Sequence, residues 1–203
     1  MMILRSSPAS PFGRKVKIVA GLLGLLDRIE VVTTDTNSPD DPLRKDNPLG
    51  KIPTLVTDDG VAIYDSRVIV DYLDMLAGGD KVIPADPKSR IEVLTLLALA
   101  DGISDASLLI VYEGRYRPVE KHVASWTDHQ AGKVKRGLDY LENRLKPVDS
   151  MPNVGQISAA CALGYQDLRF GGHWRGDYPK LVAWLDDFEA KVPMYAKTRV
   201  TPT

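Results

Sequence analysis

Near residue 85 the pattern of the chain changes, and this change restricts the fold more than any single motif does. Before it, short apolar runs alternate with helical spacings, and beyond residue 90 nothing reads as a strand. Alternation of that kind marks an α/β unit with a sheet, whereas an unbroken helical pattern marks a bundle. The expected division is therefore an α/β domain over 1–79, a linker over 80–87 where the Pro84–Ser89 stretch breaks the pattern, and an all-helical domain over 88–203. A chain of 203 residues has enough apolar surface for two small domains when they share an interface.

Within the first part, Met2–Arg5 reads as a strand, Pro11–Leu26 as a helix and Ile29–Thr34 as a second strand, which makes a βαβ unit. Ser10 is the expected N-cap of that helix, with Pro11 in the first helical position, where its missing N–H costs nothing. Asn37–Pro48, rich in Asp, Asn and Pro, is a loop or a short irregular helix. Ile52–Thr57 and Val61–Tyr64 form a hairpin through Asp58, Asp59 and Gly60, so the sheet turns from parallel to antiparallel. Val68–Leu76 then has helical spacing, is capped by Ser66 and ends at the Gly78–Gly79 pair. The helical part divides into Ile91–Tyr112, Val119–Leu145, Val154–Phe170 and Tyr178–Val192, the third opened by an Asn153–Gln156 capping box.

Lys plus Arg number 26 against 27 for Asp plus Glu, so the chain has no polycationic field to gather phosphates and nucleic acid is not an expected partner. The single cysteine, Cys161, rules out an intramolecular disulfide framework and any CxxC site. The first residues lack the apolar core of a signal peptide, and the run Val16–Leu26 is broken by Lys17, Gly21 and Gly24. The expectation is a cytoplasmic chain that does not engage a membrane. His122, His129 and His173 show no ligand spacing, and no metal is expected.

Three segments of the first half carry the chemistry: SSPASPFGRK, NPLGKIPTLV and YDSRVIVDYL. Pro53 stands where a strand should begin. It fits an ordinary edge strand, and equally a cis peptide that turns the Ile52 N–H and C=O outward, where an extended peptide can pair with them. Asp65 and Ser66 stand between a strand and a helix; a helix N-terminus there suits a carboxylate and an adjacent aspartate suits an ammonium group, together the two charges of an α-amino acid. Lys51 could balance a second carboxylate or simply be solvated.

The element order β-α-β-α-β-β-α, with Ile52–Pro53 and Asp65–Ser66 followed by a helical domain, resembles the glutathione S-transferase family over essentially the whole chain. SPFGRK together with LADGISDA is similar to serine-type bacterial members of the YibF group. The resemblance implies a thioredoxin-like N-terminal domain with a mixed sheet and a cis-proline, followed by an all-α bundle. It implies glutathione as co-substrate, with Ile52 pairing with the cysteinyl backbone and Asp65 and Ser66 holding the γ-glutamyl end. In that family the thiol is activated by a Tyr, Ser or Cys near the end of the first strand. Here the first tyrosine is Tyr64 and the cysteine lies in the helical half, which leaves serine. Ser10, just before Pro-Phe, is favoured over Ser7 because cysteine-type relatives carry their thiol there.

Asp101 and Asp105 share a helix face in LADGISDA, and relatives place an acid of that helix near the glutathione amino group across a dimer interface. Asp101 is the expected contact. Tyr112, Tyr116 and Trp174 are candidates for an apolar pocket beside the thiol or for plain core filling. The expected function is a homodimeric glutathione transferase, acting in detoxification on a small hydrophobic electrophile or a peroxide. The alternative is a non-catalytic glutathione-binding or protein-interaction module on the same fold.

Overall fold

A computed structural model of the chain describes residues 1–200. Four strands form one mixed sheet in the order β2-β1-β3-β4, and helices make up the rest. β1 (Met2–Ser6) runs parallel to β2 (Ile29–Thr33) with Met2 opposite Ile29, and antiparallel to β3 (Thr54–Val56) with Leu4 opposite Leu55. β4 (Ala62–Ile63) pairs antiparallel with β3 at the edge. Met2, Leu4 and Ser6 alternate inward on β1 as a half-buried strand requires. Two helices, α1 (Pro11–Leu22) and α3 (Ser66–Leu76), pack together on the N-terminal domain, and Val16, Val19 and Ala20 of the first and Ile69, Val70 and Leu73 of the second belong to the buried core. The short α2 (Leu43–Asp46) falls inside the stretch expected to be irregular.

Several boundaries differ from the sequence pattern. α1 ends four residues early because Gly24 takes a left-handed φ of 69°, and Leu26–Arg28 then makes a single 3₁₀ turn into β2. At the start of α3, Asp65 rather than Ser66 is the N-cap: its carboxylate accepts from the Arg67 N–H at 2.9 Å, and Ser66 becomes the first helical residue. α4 (Pro87–Tyr116) begins within the presumed linker, since Asp86 caps it by accepting from the Ser89 N–H at 2.9 Å and Pro87 fits its first turn.

The bundle continues with α5 (Ala124–Arg144), α6 (Val154–Phe170), α7 (Pro179–Lys191) and α8 (Pro193–Lys197), the last not apparent from periodicity. Asn153 and Gln156 form the expected capping box on α6. α4 is the one described helix long and apolar enough to cross a membrane; here it is the central helix of the bundle, packed against α5 and α6.

α1 is shared between the two halves of the molecule. Its Lys15, 1 % exposed, donates to both carboxylate oxygens of Asp101 on α4 at 2.8 and 2.9 Å, and Arg67 from α3 reaches the same carboxylate at 3.1 Å. Arg14, one residue earlier, donates to the Tyr195 carbonyl and the Thr198 hydroxyl at the end of the chain, with its guanidinium 3.9 Å from the Tyr195 ring centre. At Gly13 a Cβ would come within 2.0 Å of Ser6 Oγ, so only glycine lets α1 start so close to the end of β1.

Candidate functional site

A groove of about 640 Å³ lies between the C-terminal end of β1, the loop before β3, the start of α3 and the inner faces of α4 and α6. Three of its features come straight from local sequence. The Ile52–Pro53 peptide is cis, and neither the N–H nor the C=O of Ile52 makes a main-chain hydrogen bond among the described residues. Asn47 and Thr54 fix this turn by donating to the Lys51 carbonyl, each at 3.0 Å, so the bend is held from behind while Ile52 is left bare. Lys51 itself stands exposed on the rim.

Ser66, only 2 % exposed, lies on the groove wall at the first position of α3, beside the more exposed Asp65. The opening turn of a helix presents N–H groups that have no intrahelical acceptor, and the positive end of the dipole points the same way. A carboxylate there would be met by hydrogen-bond donors and a favourable field. Across the groove, Ser10 caps α1 by accepting from the Gly13 N–H at 3.1 Å, which leaves its O–H free to donate. Ser7 also lines the groove, and its carbonyl accepts from the Ser10 N–H at 3.1 Å.

The helix-4 acids divide differently from the sequence expectation. Asp101 lines the floor, but its oxygens are committed to Lys15 and Arg67, so it is a buried structural anion. Asp105, one turn on, stands exposed on the wall and belongs to no ion pair among the described residues. Partial burial, then the neighbouring Asp101 charge, raises its carboxyl above the ordinary range, with Arg67 and Lys51 opposing. Identical spacing on a helix face did not reveal which acid would meet Lys15.

The aromatic assignments separate as well. Tyr112 lines the groove. Tyr116 does not: it packs edge-on against Tyr112 at 5.0 Å and donates from its hydroxyl to Asn37 Oδ1 at 2.7 Å, bracing the groove from outside. Trp174 is buried in the 3₁₀ turn His173–Gly176, where its indole donates to Asp167 at 2.9 Å, so it fills core and touches no part of the groove. In its place Phe12, Tyr165 and Arg169 line the site; Tyr165 and Arg169 are spaced by one turn on α6, a pairing that the sequence alone did not attach to the first half of the chain.

A mixed four-stranded sheet with a bare main-chain edge before a cis-proline, facing a helix start and closed by a helical bundle, defines the class: a two-part protein with a thioredoxin-like half and an all-helical half. Residues 4–81 match the family model for the glutathione S-transferase N-terminal domain and residues 124–187 that for the C-terminal domain. The GST-like protein YibF of Escherichia coli is 34% identical over 191 residues, covering 92% of this chain and 93% of YibF. The chain belongs to the glutathione S-transferase family. Among solved structures, a glutathione transferase family member from Pseudomonas fluorescens Pf-5 with bound glutathione is 41% identical, with each chain covered in full and a TM-score of 0.88. The same protein with bound S-(propanoic acid)-glutathione aligns equally completely, with a TM-score of 0.86.

Proposed function

We propose that this chain is a glutathione transferase in which the groove binds glutathione and Ser10 stabilises its thiolate for attack on a small electrophile. The observation that carries this reading is the meeting of three elements in one groove: the bare Ile52 main chain, the open start of α3 and the free Ser10 hydroxyl. In this arrangement Ile52 pairs with the cysteinyl main chain as a short added strand. The Ser66 hydroxyl and main-chain N–H take the γ-glutamyl carboxylate, Asp65 and Asp105 take its ammonium, and Lys51 takes the glycine carboxylate. The 41% identical relative supports the reading, since its two structures hold glutathione and an S-substituted glutathione.

The energetics are sufficient. A thiol with pKa about 8.5 must fall by about two units to be mostly ionised at neutral pH, which needs about 2.7 kcal/mol. A hydrogen bond to the charged sulfur contributes about 1.5–3 kcal/mol and the start of α1 about 0.3–1 kcal/mol. Dimerisation belongs to the same reading. Val68 and Met75, two turns apart on α3, and Ile91 on α4 are 52%, 64% and 65% exposed, apolar side chains that a second copy would cover.

The test is an ultraviolet titration of the bound thiolate in the native protein and in Ser10→Ala, with a panel of electrophiles and hydroperoxides assayed alongside. Ser10→Ala should raise the pKa of bound glutathione with little change in affinity. An unchanged titration removes Ser10 from the chemistry, and intact binding with no turnover across the panel replaces the enzyme by a binding module.

A further inference from the structure

The groove is polarised along its length in a way that glutathione alone does not use. Its near end holds Asp65, Asp105 and the start of α3, together with Arg67 and Lys51, the two cations that act on Asp105. Its far end holds Tyr112 and Arg115 from α4 with Tyr165 and Arg169 from α6. Asp105 and Arg115 are on one helix, about 15 Å apart along its axis at roughly 1.5 Å per residue. The near end carries both signs of charge, whereas the four far-end residues carry only positive charge.

At the far end the four side chains form one cluster. Arg115 lies 5.4 Å from the Tyr112 ring centre and Arg169 lies 5.8 Å from that of Tyr165. Burial raises both phenols, with Tyr116 adding at Tyr112; Arg115 opposes the rise at Tyr112, and at Tyr165 Arg169 opposes it first, with Arg115 behind it across the groove. The other groove arginine, Arg67, is tied to Asp101, and Arg117 beyond the cluster is tied to Glu113. Arg115 and Arg169 belong to no ion pair among the described residues. Two guanidinium groups beside aromatic rings on facing walls of one groove, without ion-pair partners among the described residues, suit a planar anion attached to a flat apolar body.

We propose that the far end of the groove selects electrophiles that carry a carboxylate, held by Arg115 and Arg169 while the ring or alkene lies against Tyr112 and Tyr165. The inference rests on glutathione occupying the near end. A representative reaction uses 4-chloro-3-nitrobenzoate. The sulfur lone pair of the thiolate forms an S–C bond at the chlorine-bearing carbon, the C–Cl bond breaks, and chloride leaves with the bonding pair. The thiol proton has gone to solvent beforehand, and the carboxylate takes no part beyond binding.

The experiment compares this substrate with its neutral isostere, 4-chloro-3-nitrobenzamide, each rate divided by the uncatalysed rate with glutathione. Calorimetric binding of the two pre-formed glutathione conjugates is measured in parallel, so the result does not depend on turnover. Native protein should favour the carboxylate by about tenfold, since each partly exposed cation contributes a few-fold. Arg115→Gln/Arg169→Gln should lose that preference while binding unmodified glutathione as before, and Arg115→Lys/Arg169→Lys should regain part of it. The preference should also shrink as salt is raised. Equal binding of the two conjugates by native protein, or a preference that survives in the glutamine variant, overturns the proposal. Loss of glutathione binding by native protein would instead overturn the reading of the near end, and this inference with it. Turnover absent with the conjugate preference intact would refute the enzyme and uphold the anion site.

Discussion

Replacing Asp101 by leucine separates a structural anion from a ligand contact. Lys15 and Asp101 are 1% and 3% exposed and joined by two bonds of 2.8 and 2.9 Å. Losing the carboxylate strands Lys15 as an uncompensated buried cation, a change that costs about 3–5 kcal/mol. In a chain of this size each kcal/mol moves the midpoint by about 2–4 °C, so Asp101→Leu should unfold about 6–20 °C lower. Lys15→Met should cost less, because Asp101 keeps Arg67 at 3.1 Å, a half-exposed cation that reaches water. The double variant, with both charges gone, should return to within about 1 kcal/mol of the native protein or exceed it, as apolar replacements of buried pairs do. Urea unfolding at pH 7 and fixed protein concentration measures all three, and calorimetry with glutathione runs beside it. If Asp101→Leu keeps native stability but no longer binds glutathione, the carboxylate is a ligand contact and the assignment made from its hydrogen bonds is wrong.

Ser66→Ala should weaken glutathione binding by about ten- to a hundredfold, the loss of one hydrogen bond to a charged group, and equal titrations for the two proteins would remove Ser66 from the site. Asp105→Asn should act in two directions at once. Because the folded carboxyl is raised above its unfolded value, its ionised form destabilises the empty protein at neutral pH, and this penalty fades as pH falls through the carboxylate range. The variant should therefore melt higher than native at pH 7, converge with it in acid, and bind glutathione more weakly; a pH-independent difference would contradict the stated origin of the shift. Cys161 is buried and its thiol is pushed up to about 11 by burial, so iodoacetamide at pH 8 should label it only as fast as the protein opens. Labelling at the rate of a free thiol, read by mass spectrometry, would show that the thiol is accessible.

Where local chemistry is self-sufficient, the sequence was a good guide. The Ser10 cap, the Asn153–Gln156 box and the β3–β4 hairpin each follow from residues a few positions apart. Errors cluster where two local signals compete or a distant partner decides. Asp65 and Ser66 are both good caps, and the backbone gave the role to the first. Asp101 and Asp105 are equivalent by spacing, and Lys15, many residues away in sequence, distinguishes them. For Trp174 the choice between pocket and core stays open in the sequence because aromatic content says nothing of direction; Asp167 holds its indole inward. Tyr165 and Arg169 carry no local signal, because only the packing of α6 against α1 and α4 brings them to the groove.

The placement of two cations on the inner side of α1 ties the sheet-bearing half to the helical one. Without the bundle, Arg14 loses the carbonyl and hydroxyl of the chain's final turns, and Lys15 loses its counter-ion. The sheet half is thus a dependent partner, and the molecule should melt as one cooperative unit. Ligand occupancy and the assembly of distant helices then draw on a common free energy: glutathione should raise the melting point of the bundle as much as that of the sheet that holds it.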